Sequence, residues 1–429
     1  MKTILTLLTL ALAAPAAHAQ RGGFDFETAL NGNCGNIREV STYGKDNRED
    51  YCAQDMFVRD LADSVAALFT EKNGGIAAGG QTYAFGTNTL GNSQNLSAGQ
   101  RFADEPAASY CSGFLVGDDL LVTAGHCVLD HRLDAKTAAN AAHDDPGCQE
   151  NLTVKSEFCE NIKIVFGFRK ELGGVIPRSV PADNVYRCAR VLAHSMKSGP
   201  DYALIKLDRK VAGRRPLAID RGNADLAEGV PLMVIGHPSG LPLKIAADAK
   251  VLAAGRDVSV TDAYGASRPW VHKDYSFLAN LDTFHGNSGS PVINLKTLLV
   301  EGILVSGDAD YEWDPEDPGK RRAANYPQDA GSTELGKGVG EVCTKISVPQ
   351  DRIPATRRER DMRELNRQAG GDLYGTLLRT LRDRAVKTPG RVIQIPNYAL
   401  PGTQAPAVVP AVYVPVPEPT PAPGEPISI

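Results

Sequence analysis

Ser288 lies in the stretch His285-Gly286-Asn287-Ser288-Gly289-Ser290-Pro291, where glycines on both sides leave room for a substrate carbonyl to reach its hydroxyl. A serine hydroxyl is a weak nucleophile by itself. It needs a base to take its proton and donors to hold the oxyanion that forms on the attacked carbonyl. The donors are local, because Gly286 has no side chain to hinder a turn that aims its own N–H and that of Ser288 at one point. Taken alone, the stretch reads equally well as a flexible Gly/Asn/Ser loop. The nucleophile reading therefore depends on finding a base and an orienting group elsewhere in the chain.

Both have candidates. Residues 120–127, Leu-Leu-Val-Thr-Ala-Gly-His-Cys, read as a buried apolar strand entering a tight turn that ends on His126, the candidate general base. Residues 199–207, Gly-Pro-Asp-Tyr-Ala-Leu-Ile-Lys-Leu, put Asp201 at the mouth of a second apolar strand, where its carboxylate can accept an imidazole N–H. His237 precedes a proline in a turn and reads as structural. His194 lacks an aspartate-strand partner, and His285 reads as a rim residue of the substrate cleft.

In the order His, Asp, Ser, the segments Thr-Ala-Gly-His-Cys, Asp-Tyr-Ala-Leu-Ile and Gly-Asn-Ser-Gly-Ser-Pro resemble the chymotrypsin/trypsin-like serine peptidases, most closely the bacterial branch that includes the glutamyl endopeptidases. The resemblance covers residues 101–350. It implies an all-β fold of two six-stranded antiparallel Greek-key barrels with the active site between them. It also implies a serine endopeptidase in which Asp201 orients His126, His126 deprotonates Ser288, and the N–H groups of Gly286 and Ser288 form the oxyanion hole. Cys111 and Cys127, sixteen positions apart, have the family's spacing for the bridge that fixes the histidine loop. Closing a loop of that size is worth about 3 kcal/mol.

The same resemblance bears on substrates. Asp282, six residues before Ser288, stands where trypsin-like members carry the pocket-floor aspartate, which implies cleavage after Arg or Lys. Phe284 stands where trypsin has a cysteine, so the pocket wall differs. Leu304 occupies the place of the glutamyl branch's specificity histidine, which disfavours cleavage after Glu; small or apolar P1 residues are the alternative. The strand at 298–307, with Val305 and Gly307, is expected to form a pocket wall and to pair with an extended substrate. Asn287 replaces the aspartate that pairs with the new N-terminus of activated trypsin-like zymogens, so activation of that kind is not expected. A catalytically silent homologue that binds a partner is the rival reading. An α/β-hydrolase esterase would need its histidine last in the chain, and here histidine comes first.

The elements that must position these residues are mostly strands. Residues 110–128 read as a hairpin turning at Gly117-Asp118-Asp119, and strands are expected at 162–168, 185–193, 232–235, 298–307 and 342–348. The second barrel is expected after Arg214-Arg215-Pro216. Residues 20–100, rich in Gly, Asn, Ser and Asp, read as a leader or pro-region with one helix-like apolar patch at Met56, Val58, Leu61, Val65, Leu68 and Phe69. Residues 129–160 form an insertion holding Cys148, and 308–340 an acidic loop whose spacing matches no calcium loop, so no metal is expected. Residues 351–386 read as a short helical extension with a leucine stripe (Leu373, Leu377, Leu378, Leu381) interrupted at Gly370-Gly371, and 387–429 as a Pro-rich disordered tail.

Residues 1–19 carry a basic start, an apolar run and Ala17-His18-Ala19, the pattern of a signal peptide cut after Ala19, so a secreted or periplasmic protein is expected. Eight cysteines with no Cys-x-x-Cys pair then favour disulfides over zinc, and the even count allows full pairing; Cys34 with Cys52 and Cys159 with Cys188 are plausible bridges. With 429 residues, 42% hydrophobic and 23% charged, the chain has the make-up of an ordinary globular protein. A net charge of −5 supplies no basic field for nucleic acid or an anionic membrane. The expectation is a monomer without cofactor or mature membrane span, acting on protein or peptide substrates.

Overall fold

The computed structural model describes residues 29–30, 32–34, 46–71, 74–128, 158–196, 199–222, 226–327 and 331–387, with backbone alone at 24–25, 384–387 and 412–413. The expected signal peptide at 1–19, residues 129–157 with Cys148, and the Pro-rich segment at 388–429 lie outside the described side chains.

The first barrel takes β2 (Val65–Thr70), β3 (Cys111–Gly117), β4 (Leu120–Thr123), β5 (Ile162–Phe166), β6 (Val185–Ser195) and β7 (Tyr202–Leu207). Its strands close in the order β6-β7-β4-β3-β2-β5, with β5 pairing back to β6. The second takes β8 (Pro231–Gly236), β9 (Lys244–Ala253), β10 (Ser276–Ala279), β11 (Pro291–Asn294), β12 (Val300–Ser306) and β13 (Glu341–Lys345). It closes as β8-β11-β12-β13-β10-β9, and a short strand β1 (Arg48–Asp50) is added along β9. The two six-stranded antiparallel barrels expected from the motifs are present.

Why the strands read as continuous apolar runs is explained by what lies on each face. Every residue of β3 is buried. Cys111 and Leu115 point into the first barrel with Leu121, Ala203 and Ile205. Phe114 and Val116 point the other way, into a core shared with Met233, Ile235 and Ile245 of the second barrel. A strand buried on both faces has no polar alternate positions, and each fully buried Leu or Phe contributes about 1.5–3 kcal/mol.

The N-terminal boundary moves. Residues 20–100, expected ahead of the peptidase domain as a leader or pro-region, supply β1 to one barrel and β2 to the other. The apolar patch at 56–69 is a helix only over α1 (Met56–Ala62), where Asp55 accepts the N–H groups of Phe57 and Val58 as N-cap. Val65, Leu68 and Phe69 lie in β2 instead. Side-chain burial on both strand faces imitates a helical run of apolar residues, which is why the sequence pattern misleads here. The segment is further pinned by charge. Lys244, only 2% exposed, binds Asp50 and Glu105, and Lys170 holds the same two carboxylates at 2.7 and 2.9 Å. A buried cation of this kind needs such partners to remain charged.

Past β13 the single short helix expected from the sequence is a pair, α3 (Arg357–Gln368) and α4 (Leu373–Lys387), parted at Gly370-Gly371, both of positive φ. Leu365, Leu373, Leu377 and Leu381 pack with Phe57, Val58 and Leu61 of α1. The helices thus cover the shared core on the N-terminal side.

Candidate active site

The base and its orienter are brought together by strand pairing. β4 and β7 run antiparallel with Thr123 opposite Ala203, so the residue groups just beyond these positions leave the barrel at one end. There the chain turns through Ala124 into the short helix α2 (Gly125–Val128). His126 Nδ1 lies 2.7 Å from Asp201 Oδ2. An ionised carboxylate only accepts, so Nδ1 is the donor and Nε2 is left as an acceptor facing away from Asp201. Asp201 Oδ1 takes the backbone N–H groups of Gly125, at 2.5 Å, and His126, at 3.2 Å. Its backbone carbonyl accepts from Thr344 Oγ1 at 2.9 Å. The carboxylate is therefore fixed from three directions. Gly125 is obligatory: a Cβ there would meet the Ser195 carbonyl at 2.1 Å.

The Ser288 loop hangs from the first barrel. Ser112 N–H donates to the Ser288 carbonyl at 2.9 Å, and Ser112 Oγ donates to the Gly286 carbonyl at 2.8 Å. The same Oγ accepts the His237 N–H at 3.0 Å, and the Ser112 carbonyl accepts from Thr123 Oγ1 at 2.6 Å. Gly286 and Gly289 have φ of 99° and 88°, and a Cβ on Gly289 would meet the Ser112 carbonyl at 2.2 Å. These contacts seat Ser288 beside the histidine turn, with Cys127 Sγ 3.7 Å from the Ser288 carbonyl. Ser288 itself is half-buried. Among the described residues, the N–H groups of Gly286 and Ser288 donate to no protein acceptor. Ser112 was not singled out by the sequence, since its role appears only when β3 meets a loop 174 residues away.

The remaining site residues divide. His285 keeps an exposed surface, its backbone N–H donates to Asp310 Oδ2 at 2.7 Å, and partial desolvation of its ring, with the charge of His126, lowers its pKa. Burial pushes the Asp310 carboxyl up to about 6. Val305 and Gly307, half-buried, lie at the end of β12, whereas Leu304 is buried in the second barrel's core. Asp282 is 2% exposed and its Oδ2 accepts the Asn47 N–H at 3.0 Å. Phe284 stacks under the Arg48 guanidinium at 4.0 Å and packs on Tyr311, so an aromatic pair stands where a cysteine was missing. Glu341 is a residue the sequence did not flag: Thr283 Oγ1 donates to it at 2.7 Å, and burial raises its pKa well above the carboxylate range. His237 is fully buried with Nδ1 3.0 Å from the Leu241 carbonyl, which excludes contact with substrate.

The cysteines are bridged as Cys34–Cys52, Cys111–Cys127 and Cys159–Cys188, while Cys343 is a buried thiol, so full pairing of all eight does not hold. Two groups of possible metal ligands occur among the described residues, Cys111 with His126 and Cys127, and Cys34 with Asp50 and Cys52. In each, the two sulfurs are bonded to one another and are not thiolate ligands. The carboxylates of the acidic segment are held by backbone: Asp308 accepts the N–H groups of Gly336, Gly338 and Val339 at 2.7–2.8 Å. No helix among the described residues is long and apolar enough to cross a membrane.

A sequence profile described as "Trypsin-like peptidase domain" matches residues 111–303, the span that holds His126, Asp201 and Ser288. Residues 111–303 are a trypsin-like peptidase domain. Among solved structures, the active form of the Rv3671c protease from M. tuberculosis aligns with 14% identity over 70% of this chain and 85% of that one, with a TM-score of 0.33. The inactive form of Rv3671c from M. tuberculosis H37Rv, a serine-to-alanine mutant, aligns with 13% identity over 70% and 91%, with a TM-score of 0.31. A sequence search finds no matching relative among curated proteins. The trypsin-like domain extends in space beyond the matched residues, since β1, β2, β13 and the C-terminal helices share its barrels and core.

Proposed function

We propose that the trypsin-like domain is an exported serine endopeptidase that cleaves peptide bonds after Arg or Lys, with Ser288 as nucleophile, His126 as base and Asp201 as orienter. Asp201 holds the His126 ring through Nδ1, so that Nε2 takes the Ser288 proton as Oγ attacks the scissile carbonyl. The N–H groups of Gly286 and Ser288 receive the oxyanion. His126, now protonated, returns the proton to the leaving amine, and water then hydrolyses the acyl-serine by the same steps in reverse. The observation that carries the reading is the 2.7 Å contact of His126 Nδ1 with Asp201, in the cleft where two N–H groups of the Ser288 loop have no acceptor among the described residues. Three carboxyl groups, Asp308, Asp310 and Glu341, cluster near the end of β12, and a cationic P1 side chain there would favour their ionised forms. Export rests on the signal-peptide pattern at 1–19, which N-terminal sequencing of secreted protein tests: the expected start is Gln20.

Hydrolysis of short peptides bearing Arg, Lys, Glu, Phe or Ala at P1, by the full chain and its Ser288→Ala variant, tests the function. Cleavage after Arg or Lys that vanishes in the variant is expected. Cleavage that persists in the variant refutes the nucleophile, and Ser288-dependent cleavage after other residues refutes the basic preference. A folded protein that cleaves none of the peptides supports a silent binding homologue instead.

A further inference from the structure

The geometry points to Glu341, and not Asp282, as the carboxylate that meets the cationic side chain of a Lys or Arg substrate; the inference rests on the basic preference proposed above. The resemblance to trypsin-like peptidases implies that a P1 side chain next to Ser288 enters between residues 282–284, which lead into the nucleophile loop, and the end of β12 with Gly307. Glu341, at the head of β13, reaches both. Its carboxylate takes the Thr283 hydroxyl at 2.7 Å on one side and the Asp308 N–H on the other. It also lies directly against Gly307. A Cβ on that glycine would fall 1.8 Å from Glu341 Oε2, so only glycine admits the carboxylate at this point. The group is thus held between the two, and these two donors are neutral.

Asp282, by contrast, is already committed. Its Oδ2 accepts the Asn47 N–H at 3.0 Å, where the chain enters β1, and the Arg48 guanidinium lies near enough for their charges to interact. Strand β1 is itself hydrogen-bonded along β9. Releasing Asp282 toward a substrate would therefore break its bond to the half-buried Asn47 N–H and separate a buried charge from its neighbour, at a cost on the order of 1–3 kcal/mol. The burial of Glu341 and the neighbouring Asp308 and Asp310 make an added cation the natural complement, since a cation is what stabilises a desolvated carboxylate. The position of Glu341 between those two segments also limits how deep a side chain enters, so a long aliphatic stem with a terminal charge fits better than a bulky ring.

The test uses the full chain with three variants, Glu341→Gln, Thr283→Val and Asp282→Asn. For each, kcat/KM is measured on matched peptides with Arg, Lys, Phe and Ala at P1. The rate of covalent labelling by a small fluorophosphonate without a P1 side chain reports that Ser288 and the fold are intact. Glu341→Gln is expected to lower the basic-over-Ala ratio by about 30-fold or more, as loss of one partner of a buried charge pair does, at an unchanged labelling rate. Thr283→Val, which frees the carboxylate without removing it, lowers the ratio in the same direction by less. Asp282→Asn is expected to lower stability and leave the ratio within about threefold. A ratio that collapses in Asp282→Asn and survives in Glu341→Gln overturns the inference while leaving the basic preference standing. Wild-type protein that cleaves best after Ala or Phe refutes the basic preference itself and the inference with it.

Discussion

Replacing Ser112 by Ala removes one oxygen from a site that is 0% exposed and changes two hydrogen bonds at once. The Gly286 carbonyl loses its 2.8 Å donor, and the His237 N–H loses its 3.0 Å acceptor. A buried group left unpaired costs about 1–3 kcal/mol, so the pair predicts a stability loss of about 2–4 kcal/mol, allowing for partial relaxation. The kinetic effect has a separate origin. The peptide that carries the Gly286 carbonyl also holds the N–H of Asn287, and its plane is joined through φ and ψ of Gly286 to the plane of the Gly286 N–H proposed as an oxyanion donor. Losing one oxyanion donor outright lowers kcat about 10²- to 10³-fold, and a loosened one is expected to lower it about 10- to 100-fold with KM little changed. Urea unfolding gives the first quantity, and active-site-titrated hydrolysis of the preferred peptide gives the second. A variant destabilised by the stated amount with unchanged kcat would refute the claim that Ser112 aims the oxyanion loop, and leave it a structural residue only.

The remaining predictions concern the base, acid stability and the histidine bridge. Asp201→Asn can donate to His126 Nδ1 and so favours the wrong tautomer; kcat on the preferred peptide should fall about 10⁴-fold with the fold retained by circular dichroism. His237 is buried and neutral, and its pKa of about 4 lies below the ordinary 6.5, so falling pH protonates the unfolded chain first. Its contribution is complete above pH 6.5 and is lost as pH falls toward 4, by about 3 kcal/mol in total. Asp310, raised to about 6, and Glu301, raised to about 7, act oppositely and lose stability as pH rises through those values. The His237 share is therefore read as the difference between wild type and His237→Gln in urea midpoints from pH 7 to pH 4, which should narrow as the pH falls. Replacing Cys111 and Cys127 together by Ala should cost about 3 kcal/mol through the reopened loop, measured by the same unfolding assay.

What could be read from the chain before its fold was in hand follows how local each feature is. His126 closes an apolar run at a glycine turn, Asp201 opens one after Gly199-Pro200, and Ser288 lies between glycines just ahead of a strand, so a short window contains both the residue and the element that presents it. Helical structure after β13 was legible for the same reason, through a leucine stripe, but its division into two helices at Gly370-Gly371 was not. Strand β2 was not, because Val65–Thr70 is buried on both faces and continues the apolar positions of α1 without a change of period. Its place in the barrel is fixed by β3 and β5, which lie tens of residues downstream. Ser112 and Glu341 were invisible for a related reason. Neither lies in a motif, and each acquires its role from a contact made across 174 and 58 residues of chain. Asp282 was found by its spacing, but spacing does not say which way a carboxylate turns, and Asn47 takes it.

On the function proposed above, Ser288 is an activated nucleophile in a cleft built by two barrels. The most direct measurement is labelling of the full chain with a fluorophosphonate, followed by mass spectrometry of its peptides, in wild type, His126→Ala and Ser288→Ala. A single adduct on Ser288, formed at least about 10³-fold more slowly in His126→Ala and absent in Ser288→Ala, is predicted. An adduct on another residue, or labelling of Ser288 at the same rate without His126, would contradict it.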